Sequence, residues 1–230
     1  MSTDTRRPDV PAGPAERRFG IRALLAAIAL VLVAVPFGLL LFLVQDKWRP
    51  LLRADSGARD DLHGYAVDHG WFVTAMRVLS FIGSTPVWLA LFTALVAWLL
   101  WRRLPRLALY VVVTVVGSSA LNQVVKHAVH RARPVLPDPV AHANGLSFPS
   151  GHAQAALVGS AVLLLVFLPW LRGAWRAVAV AVGAILTVGI GFSRVALGVH
   201  YVSDVLAGYV LGAAWVIAMT AAFNALRREA

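Results

Sequence analysis

Apolar residues fall in long blocks along this 230-residue chain, and short stretches rich in charge, proline and glycine separate the blocks. A helix that spans the hydrocarbon core of a bilayer needs about 20 predominantly apolar residues. The pattern therefore predicts an all-α fold, an integral membrane bundle of six transmembrane helices. We place these at about residues 23–44, 86–101, 106–125, 154–171, 175–192 and 202–224.

Residues 71–82 are also apolar, but the segment is too short to span a bilayer and Arg77 interrupts it. A Gly-Ser-Thr-Pro break at residues 83–86 separates it from the second block. Such a segment is typical of a short interfacial helix, which would lie on the membrane surface and could guide a lipid towards a site. A helix that merely packs against the bundle fits the pattern equally well.

The start of the chain differs from the rest. Residues 1–20 are rich in proline, arginine and aspartate and have almost nothing to bury, so we expect a disordered basic tail there and one membrane domain at 21–226. The apolar run that follows Arg22 is longer than the core of a signal peptide, and no clear small-residue cleavage site follows it. A retained first span is therefore the better interpretation.

Composition narrows the class of protein. Hydrophobic residues make up 59% of the chain, more than in ordinary soluble domains. The net charge of +10 would suit a nucleic-acid partner, but the arginines lie at the ends of apolar blocks, as they do when they set membrane orientation. We therefore expect membrane lipid, and no nucleic acid, as the partner. The chain has no cysteine, which excludes disulfides and thiolate metal sites.

Arginines occupy alternate connections between the apolar blocks. They lie in the N-terminal tail, in the turns after the second and fourth spans and in the C-terminal tail: Arg6, Arg7, Arg17, Arg18, Arg22, Arg102, Arg103, Arg106, Arg172, Arg176, Arg227 and Arg228. The positive-inside rule then predicts a multi-pass plasma-membrane protein with both termini in the cytoplasm. Residues 45–85, 126–153 and 193–201 share the outer face, although the first of these stretches also contains Lys47, Arg49, Arg53 and Arg59.

The first outer segment with candidate chemistry contains Lys126 and, seven residues later, Arg133 followed by Pro134. Fixed cations stabilise the negative charge of a phosphoryl group during transfer. Taken alone, a basic loop beside a membrane is more often only solvated. The neighbouring side chains His127, His130 and Arg131 would add charge suited to a second phosphate, and hence to a diphosphate.

The second segment is the run Pro-Ser-Gly-His at residues 149–152, directly before an apolar block. Ser150 is a good helix N-cap, and the free amides of a helix start bind anions. Gly151 lets the backbone approach a ligand closely. Ordinary capping explains these two residues but not His152, which can donate a proton to a departing oxygen.

The third segment contains Ser193 and Arg194, then His200 and, four residues later, Asp204. Residues four apart share one face of a helix. The Asp204 carboxylate could therefore accept a hydrogen bond from Nδ1–H of His200 and leave the Nε2 lone pair free to attack phosphorus. An aspartate that only favours the helix dipole is the simpler alternative.

Together, the Lys126–Arg133–Pro134, Pro149–His152 and Ser193–Arg194–His200–Asp204 motifs resemble the three signatures of the type 2 phosphatidic acid phosphatase superfamily, over about residues 70–225. That family includes lipid phosphate phosphatases and vanadium haloperoxidases. The resemblance implies a helical bundle with its site at the outer membrane face. By position, His200 would be the nucleophile, Asp204 its orienting partner and His152 the general acid. The implied phosphate clamp is Lys126, Arg133, Ser150, Gly151 and Arg194.

The resemblance also implies no metal and no other cofactor, and a lipid phosphate as substrate. We expect a phosphatase that hydrolyses the phosphomonoester or diphosphate head group of phosphatidate, phosphatidylglycerophosphate or a polyprenyl diphosphate through a phosphohistidine. A vanadium-dependent haloperoxidase-like enzyme and a non-catalytic lipid-binding or transport protein are the alternatives. Neither the particular lipid nor the oligomeric state follows from the sequence.

Overall fold

The computed structural model describes residues 14–226, and every regular element in that part of the chain is a helix. This confirms the predicted fold class. The helices are α1 (Pro14–Gln45), α2 (Arg49–Asp68), α3 (Gly70–Ile82), α4 (Thr85–Trp101), α5 (Pro105–Val129), α6 (Gly151–Phe167), α7 (Ala174–Ala196) and α8 (Val202–Leu226), with a 3-10 turn at Leu168–Trp170 after α6.

Within residues 14–226, five helical stretches are long and apolar enough to cross a membrane, and the number is six if one sharply bent pair counts as a single span. The bent pair joins Val31–Gln45 of α1 to α2 at 90°. The α1 helix contains the predicted first span and begins at Pro14, inside the stretch for which we expect a disordered tail. Proline at a first helical position is favourable because it lacks only an N–H that would be unpaired there. Residues 1–13 of that tail lie outside the described residues.

The α2 helix was not predicted. It is amphipathic, with a stripe formed by Leu51, Asp55, Leu62 and Ala66, which are spaced so that they share one face of the helix. Asp55 and Ala66 are buried, and the charged face is exposed. The stripe packs across the ends of α7 and α8, so α2 caps the end of the bundle where those two helices meet.

The helix predicted near residues 71–82 is present as α3. It continues into α4 across a short break, so that Gly70–Trp101 forms one candidate span of 32 residues. Its residues Val73 and Met76 pack against the end of α7, and its position at the membrane interface stays a prediction. At the break, a Cβ on Gly83 would lie 2.4 Å from Ile190 and 3.4 Å from the His152 ring, so only glycine lets this corner approach so closely.

The α6 helix lies at the centre of the bundle and packs against α5, α7 and α8. Its Gln154 is buried and joins α6 to α5, since it accepts a bond from Asn122 at 2.7 Å and donates to the carbonyl and hydroxyl of Ser118. On the α8 side, a Cβ on Gly208 would lie 2.6 Å from the carbonyl oxygen of Ser150. These contacts fix the start of α6 against the first turns of α8.

The chain direction brings the end of α5, the start of α6, the end of α7 and the start of α8 to one end of the bundle. The turn after α4, with Arg102 and Arg103, and the turn after α6 lie at the other end. This arrangement is the one that alternating spans require, and it places all three motif segments together. The side of the membrane that they face stays a prediction.

Candidate active site

One cavity of ≈ 630 Å³ lies between α4, α5 and α6 and reaches the loops at the site end of the bundle. Six of the eight predicted site residues line it: Lys126, Arg133, Gly151, His152, Arg194 and His200. The rest of the cavity is an apolar arm, whose walls include Trp88, Leu89, Phe92, Val115, Val116 and Val158. The remaining two residues, Ser150 and Asp204, are fully buried behind the wall.

His200 sits at the polar end of the cavity and is 1% exposed. Nη1 of Arg133 lies 3.0 Å from its Nε2. A guanidinium can only donate, so Nε2 is the acceptor and the ring proton belongs on Nδ1. That Nδ1 lies 3.3 Å from Oδ2 of Asp204. The ring therefore presents an Nε2 lone pair to the cavity, as a nitrogen nucleophile requires.

Burial lowers the pKa of His200 to about 4, although the hydrogen bond and charge of Asp204 oppose the shift. The cations Arg133 and Arg194 lower this pKa further. The imidazole is thus neutral near pH 7, which keeps its lone pair available.

Asp204 lies in the first turn of α8, four residues after His200, and its carboxylate is completely buried. Oδ2 accepts hydrogen bonds from the Ser147 hydroxyl and, at 2.9 Å, from the Tyr201 amide. Oδ1 accepts from Nη1 of Arg131 at 2.7 Å. A carboxylate held by this many donors cannot rotate freely, so it fixes the orientation of the His200 ring.

Two of the cations hold the loop between α5 and α6. Nζ of Lys126 donates to the carbonyls of Leu146 at 3.0 Å and Pro149 at 2.9 Å. Arg133 donates through Nε to the carbonyls of Asn144 and Gly145, at 3.2 and 3.1 Å, and through Nη1 to that of Val199. Neutral carbonyl partners leave the positive charge of both side chains uncompensated, so it remains available to an anion in the cavity.

Arg194 is 8% exposed and has no carboxylate partner among the described residues. Its Nη1 donates to the hydroxyl of Ser80, while its Nε has no partner within residues 14–226. A buried cation with an unused donor is costly unless an anion binds it. Its position in the cavity wall makes it a phosphate-binding candidate.

The start of α6 forms the remaining wall. The Ser150 hydroxyl caps the helix by accepting from the Ala153 amide at 3.5 Å, and the Ser150 amide donates to the Asp204 carbonyl at 2.9 Å. Gly151 and His152 follow it into the cavity. The structure therefore uses Ser150 as a cap behind the wall, and a contact between its hydroxyl and phosphate stays a prediction.

The expected role of Arg131 in binding a second phosphate is wrong. Its two terminal nitrogens donate to Asp204 and, at 2.8 Å, to Asp55, and it does not line the cavity. His127 and His130 are exposed side chains and are also absent from the cavity wall. Arg131 faces two buried carboxylates, which are stronger partners for a guanidinium than solvent is.

Sequence reasoning missed three residues around Asp204, namely Asp55, Ser147 and Ser203. Ser147 and Ser203 carry no signal beyond their nearness to the motifs. Asp55 does carry one, since it is an acid on the apolar stripe of an amphipathic helix. A carboxylate at such a position is buried, and a buried carboxylate needs a partner.

Comparison with known proteins gives a consistent family. The sequence matches the model of the PAP2 superfamily over residues 107–228. Phosphatidylglycerophosphatase B of Bacillus subtilis (strain 168) is 32% identical, over 62% of this chain and 70% of the relative. An undecaprenyl-diphosphatase of Sulfolobus acidocaldarius is 32% identical over 61% of this chain and 65% of its own length. A lipid A 1-phosphatase of Rhizobium etli is 36% identical over 49% and 48%.

The fold gives the same result. The structure is similar to the crystal structure of a transmembrane PAP2-type phosphatidylglycerolphosphate phosphatase from Bacillus subtilis, with a TM-score of 0.70 and 25% sequence identity. The similarity covers 81% of this chain and 94% of that one. The family match spans more than half of the chain and includes all eight predicted site residues, so this chain belongs to the PAP2 superfamily, as one of its membrane phosphatases.

Proposed function

We propose that this protein removes phosphate from the head group of a membrane lipid, without a metal ion, through a phosphohistidine formed on His200. The observation that carries the proposal is the single cavity with two unlike ends. Its polar end has cationic side chains around the His200 Nε2, and its arm is apolar. A lipid phosphate has the same two parts.

In the first step, Nε2 of His200 attacks phosphorus, so that an N–P bond forms and the bond between phosphorus and the lipid oxygen breaks. His152 donates a proton to that oxygen as it leaves. The imidazole gains positive charge as the N–P bond forms, and the Asp204 carboxylate beside Nδ1 stabilises it. Arg133 moves from Nε2 to the oxygens of the phosphoryl group.

In the second step, His152, now neutral, removes a proton from a water molecule, whose oxygen attacks phosphorus. The N–P bond breaks, inorganic phosphate leaves and both histidines return to their starting protonation states. His152 is suited to both steps because it lines the same cavity as His200, at the start of α6.

The positive charge for this reaction comes from three side chains, Lys126, Arg133 and Arg194. They converge on the polar end from α5, the loop after α5 and α7, respectively. Within residues 14–226, no three histidine or carboxylate side chains cluster as a metal site would require. Fixed cations that need no rearrangement stabilise the equatorial oxygens of a transferring phosphoryl group.

The apolar arm supports a lipid rather than a water-soluble substrate. Leu89 and Val116 line it and are also 65% and 62% exposed on the outside of the bundle, so the arm reaches the surface that faces lipid. The relatives named for phosphatidylglycerophosphate, undecaprenyl diphosphate and lipid A share an anionic head on an apolar tail. We propose a substrate of that class, with its terminal phosphate in the clamp.

We further propose that the site faces the outside of the plasma membrane and that both termini are cytoplasmic, as the distribution of arginines suggests. Because the chain has no cysteine, single cysteines can test this. His127→Cys, at the site end, should react in intact cells with a membrane-impermeant maleimide. Arg103→Cys, at the other end, should react only after permeabilisation. The reverse pattern would contradict the orientation.

The activity itself is tested by phosphate release from phosphatidylglycerophosphate in lipid nanodiscs that contain EDTA. We expect release by the wild-type protein and by His127→Ala, whose side chain is exposed and away from the cavity. His200→Ala should lose activity by a factor on the order of 10³ or more. Release that persists in His200→Ala contradicts the proposal. Lipid binding without any release would favour the non-catalytic alternative, and vanadate-dependent bromide oxidation the haloperoxidase.

A filled cavity tests the lipid-binding arm. Ala155→Leu adds bulk to the arm, whereas Ala177→Leu adds the same bulk to an exposed position on α7. Ala155→Leu should lower turnover of a long-chain lipid about tenfold, because the larger side chain would take up space in the arm where the tail is proposed to lie. Turnover of p-nitrophenyl phosphate, which has no long tail, should stay within about threefold of the wild-type value. Equal losses on both substrates would show that the arm does not bind the tail.

A further inference from the structure

Asp55 is a buried carboxylate outside all three motif segments. It lies on α2, is 1% exposed and does not line the cavity. It accepts hydrogen bonds from the amide of Ser203 at 2.9 Å, from the Ser203 hydroxyl and from Nη2 of Arg131 at 2.8 Å. The cost of burying this charge is therefore offset by three donors, two of them on a residue next to Asp204.

Arg131 connects Asp55 to Asp204. Its Nη2 pairs with Asp55 and its Nη1 with Oδ1 of Asp204, at 2.8 and 2.7 Å. Nη1 also donates to the Ser203 hydroxyl at 2.7 Å, and the guanidinium lies 4.2 Å above the Tyr201 ring. A planar guanidinium held at both ends and on one face has a single orientation, so the position of α2 is transmitted to the Asp204 carboxylate.

This arrangement divides the two oxygens of Asp204. Arg131 takes Oδ1, and Oδ2 is left for Ser147, the Tyr201 amide and Nδ1 of His200. Without Asp55, the guanidinium would have one carboxylate partner and could pair with both of its oxygens, as Arg–carboxylate pairs often do. Oδ2 would then be shared between Arg131 and His200.

Asp55 also changes the net charge of the cluster that it forms with Arg131 and Asp204. Two ionised carboxylates and one guanidinium leave one net negative charge behind His200, on the side away from the phosphate. Removing Asp55 leaves a neutral Arg131–Asp204 pair, which stabilises the cationic phosphohistidine less well. The other titratable side chains around His200 are three cations and one histidine. They are Lys126 of α5, Arg194 of α7, Arg133 of the loop before α6 and His152 of α6.

We propose that Asp55 is a positioning residue for the reaction, which acts with Ser203 through Arg131 and Asp204 to hold and charge-balance His200. The proposal rests on the proposed function, because it gives His200 the role of nucleophile. It also assigns a role to α2, because this helix covers the side of the active site behind Asp204, away from the cavity.

The test is Asp55→Asn, with Asp61→Asn as the matched control. Both residues lie on α2, but Asp61 is exposed. In nanodiscs with phosphatidylglycerophosphate, Asp55→Asn should lower kcat by a factor of about 10 to 100 and change KM less than twofold, as expected for a group that acts only in the transition state. Asp61→Asn should match the wild type in both constants.

Two readouts separate positioning from a general loss of structure. Inhibition by inorganic phosphate depends on the cation clamp, so its Ki should stay within twofold in Asp55→Asn. The acid limb of kcat/KM should move to lower pH by about half a unit, because one negative charge near His200 has been removed. A parallel loss of kcat and phosphate binding, with an unmoved acid limb, would show a structural role only.

Ser203→Ala keeps the inference testable if Asp55→Asn does not fold. It removes one donor from Asp55 and leaves the Ser203 amide in place, and it should lower kcat about threefold at unchanged KM. Wild-type kcat in Ser203→Ala or in folded Asp55→Asn would overturn the inference while leaving the proposed function intact. The proposed function fails separately, if the wild type releases no phosphate or His200→Ala releases it normally.

Discussion

One arginine lines the cavity beside His200 and another lies behind Asp204, and the two have opposite kinds of partner. Arg194 faces the cavity with an unused Nε and no carboxylate partner within residues 14–226. Arg131 lies behind Asp204 and is paired with two carboxylates. The first arginine has charge available for a substrate, and the second has none. The role of a basic residue in such a site is therefore decided by its buried partners.

This difference has a consequence for stability. An unpaired buried cation destabilises a protein until a ligand binds it, whereas a cation between two buried carboxylates cannot be removed without leaving them unpaired. Arg194, in the cavity wall, should thus destabilise the folded protein but be necessary for phosphate binding. Arg131, behind Asp204, should be necessary for folding and for the catalytic rate, but not for phosphate binding.

Arg194→Met should give the larger loss of activity of the two arginine substitutions. Methionine keeps much of the side-chain volume and removes the charge, so we expect kcat/KM to fall by a factor of about 10² to 10³, the usual effect of losing one stabilising donor. The Ki of inorganic phosphate should rise more than tenfold. Thermal unfolding in detergent should occur at an unchanged or higher temperature. A clear fall in that temperature would contradict the claim that Arg194, unlike Arg131, destabilises the folded protein.

Arg131→Met, the same substitution on the other side, should act mainly on stability. Removing the guanidinium leaves Asp55 and Asp204 buried without their shared partner, which costs roughly 3–5 kcal/mol. The midpoint of thermal or denaturant unfolding should fall accordingly. The folded fraction should still bind inorganic phosphate with a Ki near that of the wild type. Wild-type stability with lost phosphate binding would assign Arg131 to the clamp after all.

Gly208→Ala tests the contact that holds the two halves of the site together. The new Cβ would lie 2.6 Å from the Ser150 carbonyl, so α8 must move away from the start of α6. We expect a destabilisation of roughly 1–3 kcal/mol and about a tenfold loss of kcat, because His152 and His200 move apart. Gly64→Ala on α2 is the control, since its Cβ would meet nothing within 4 Å. Equal effects of the two substitutions would exclude this contact as the cause.

The pH dependence should give the smallest effect. The folded pKa of His200 is lowered from 6.5 to about 4, chiefly by burial. In the proposed mechanism neutral His200 is the reactive form, so kcat/KM should be insensitive to its protonation between pH 6.5 and 5 and should fall as the pH approaches 4. Since the unfolded chain binds this proton more readily, His200 favours folding less as the pH falls from 6.5 towards 4. An acid limb near 6.5 that belongs to His200 would contradict its burial.

Much of this fold and site could be predicted from the sequence because the information is local. The apolar blocks predict helices, and each motif places its groups within a few residues, as with His200, just before α8, and Asp204, in its first turn. The cavity then follows from the alternation of spans, which brings the motif segments to one end. Six of the eight predicted site residues line that cavity.

The parts that could not be predicted depend on distant contacts. Asp55 is 148 positions from Ser203 in the sequence. Several aspartates lie in the polar stretch after α1, and only the apolar stripe of α2 shows which of them faces inward. That stripe can be recognised only once the stretch is known to be a helix. Arg131 and Arg133 are two residues apart in one basic loop. Only the buried carboxylates distinguish Arg131, which pairs with them, from Arg133, which lines the cavity.

The most direct measurement is to trap the phosphoenzyme. The wild-type protein in EDTA would be mixed with phosphatidylglycerophosphate that carries ³²P in its terminal phosphate, and the reaction quenched within the first turnover. We predict a protein-bound label that survives alkali, is lost in acid, maps to the peptide containing His200 and forms at least as fast as phosphate is released. No label during rapid turnover, or a label on His152, would contradict the assignment of His200 as the nucleophile.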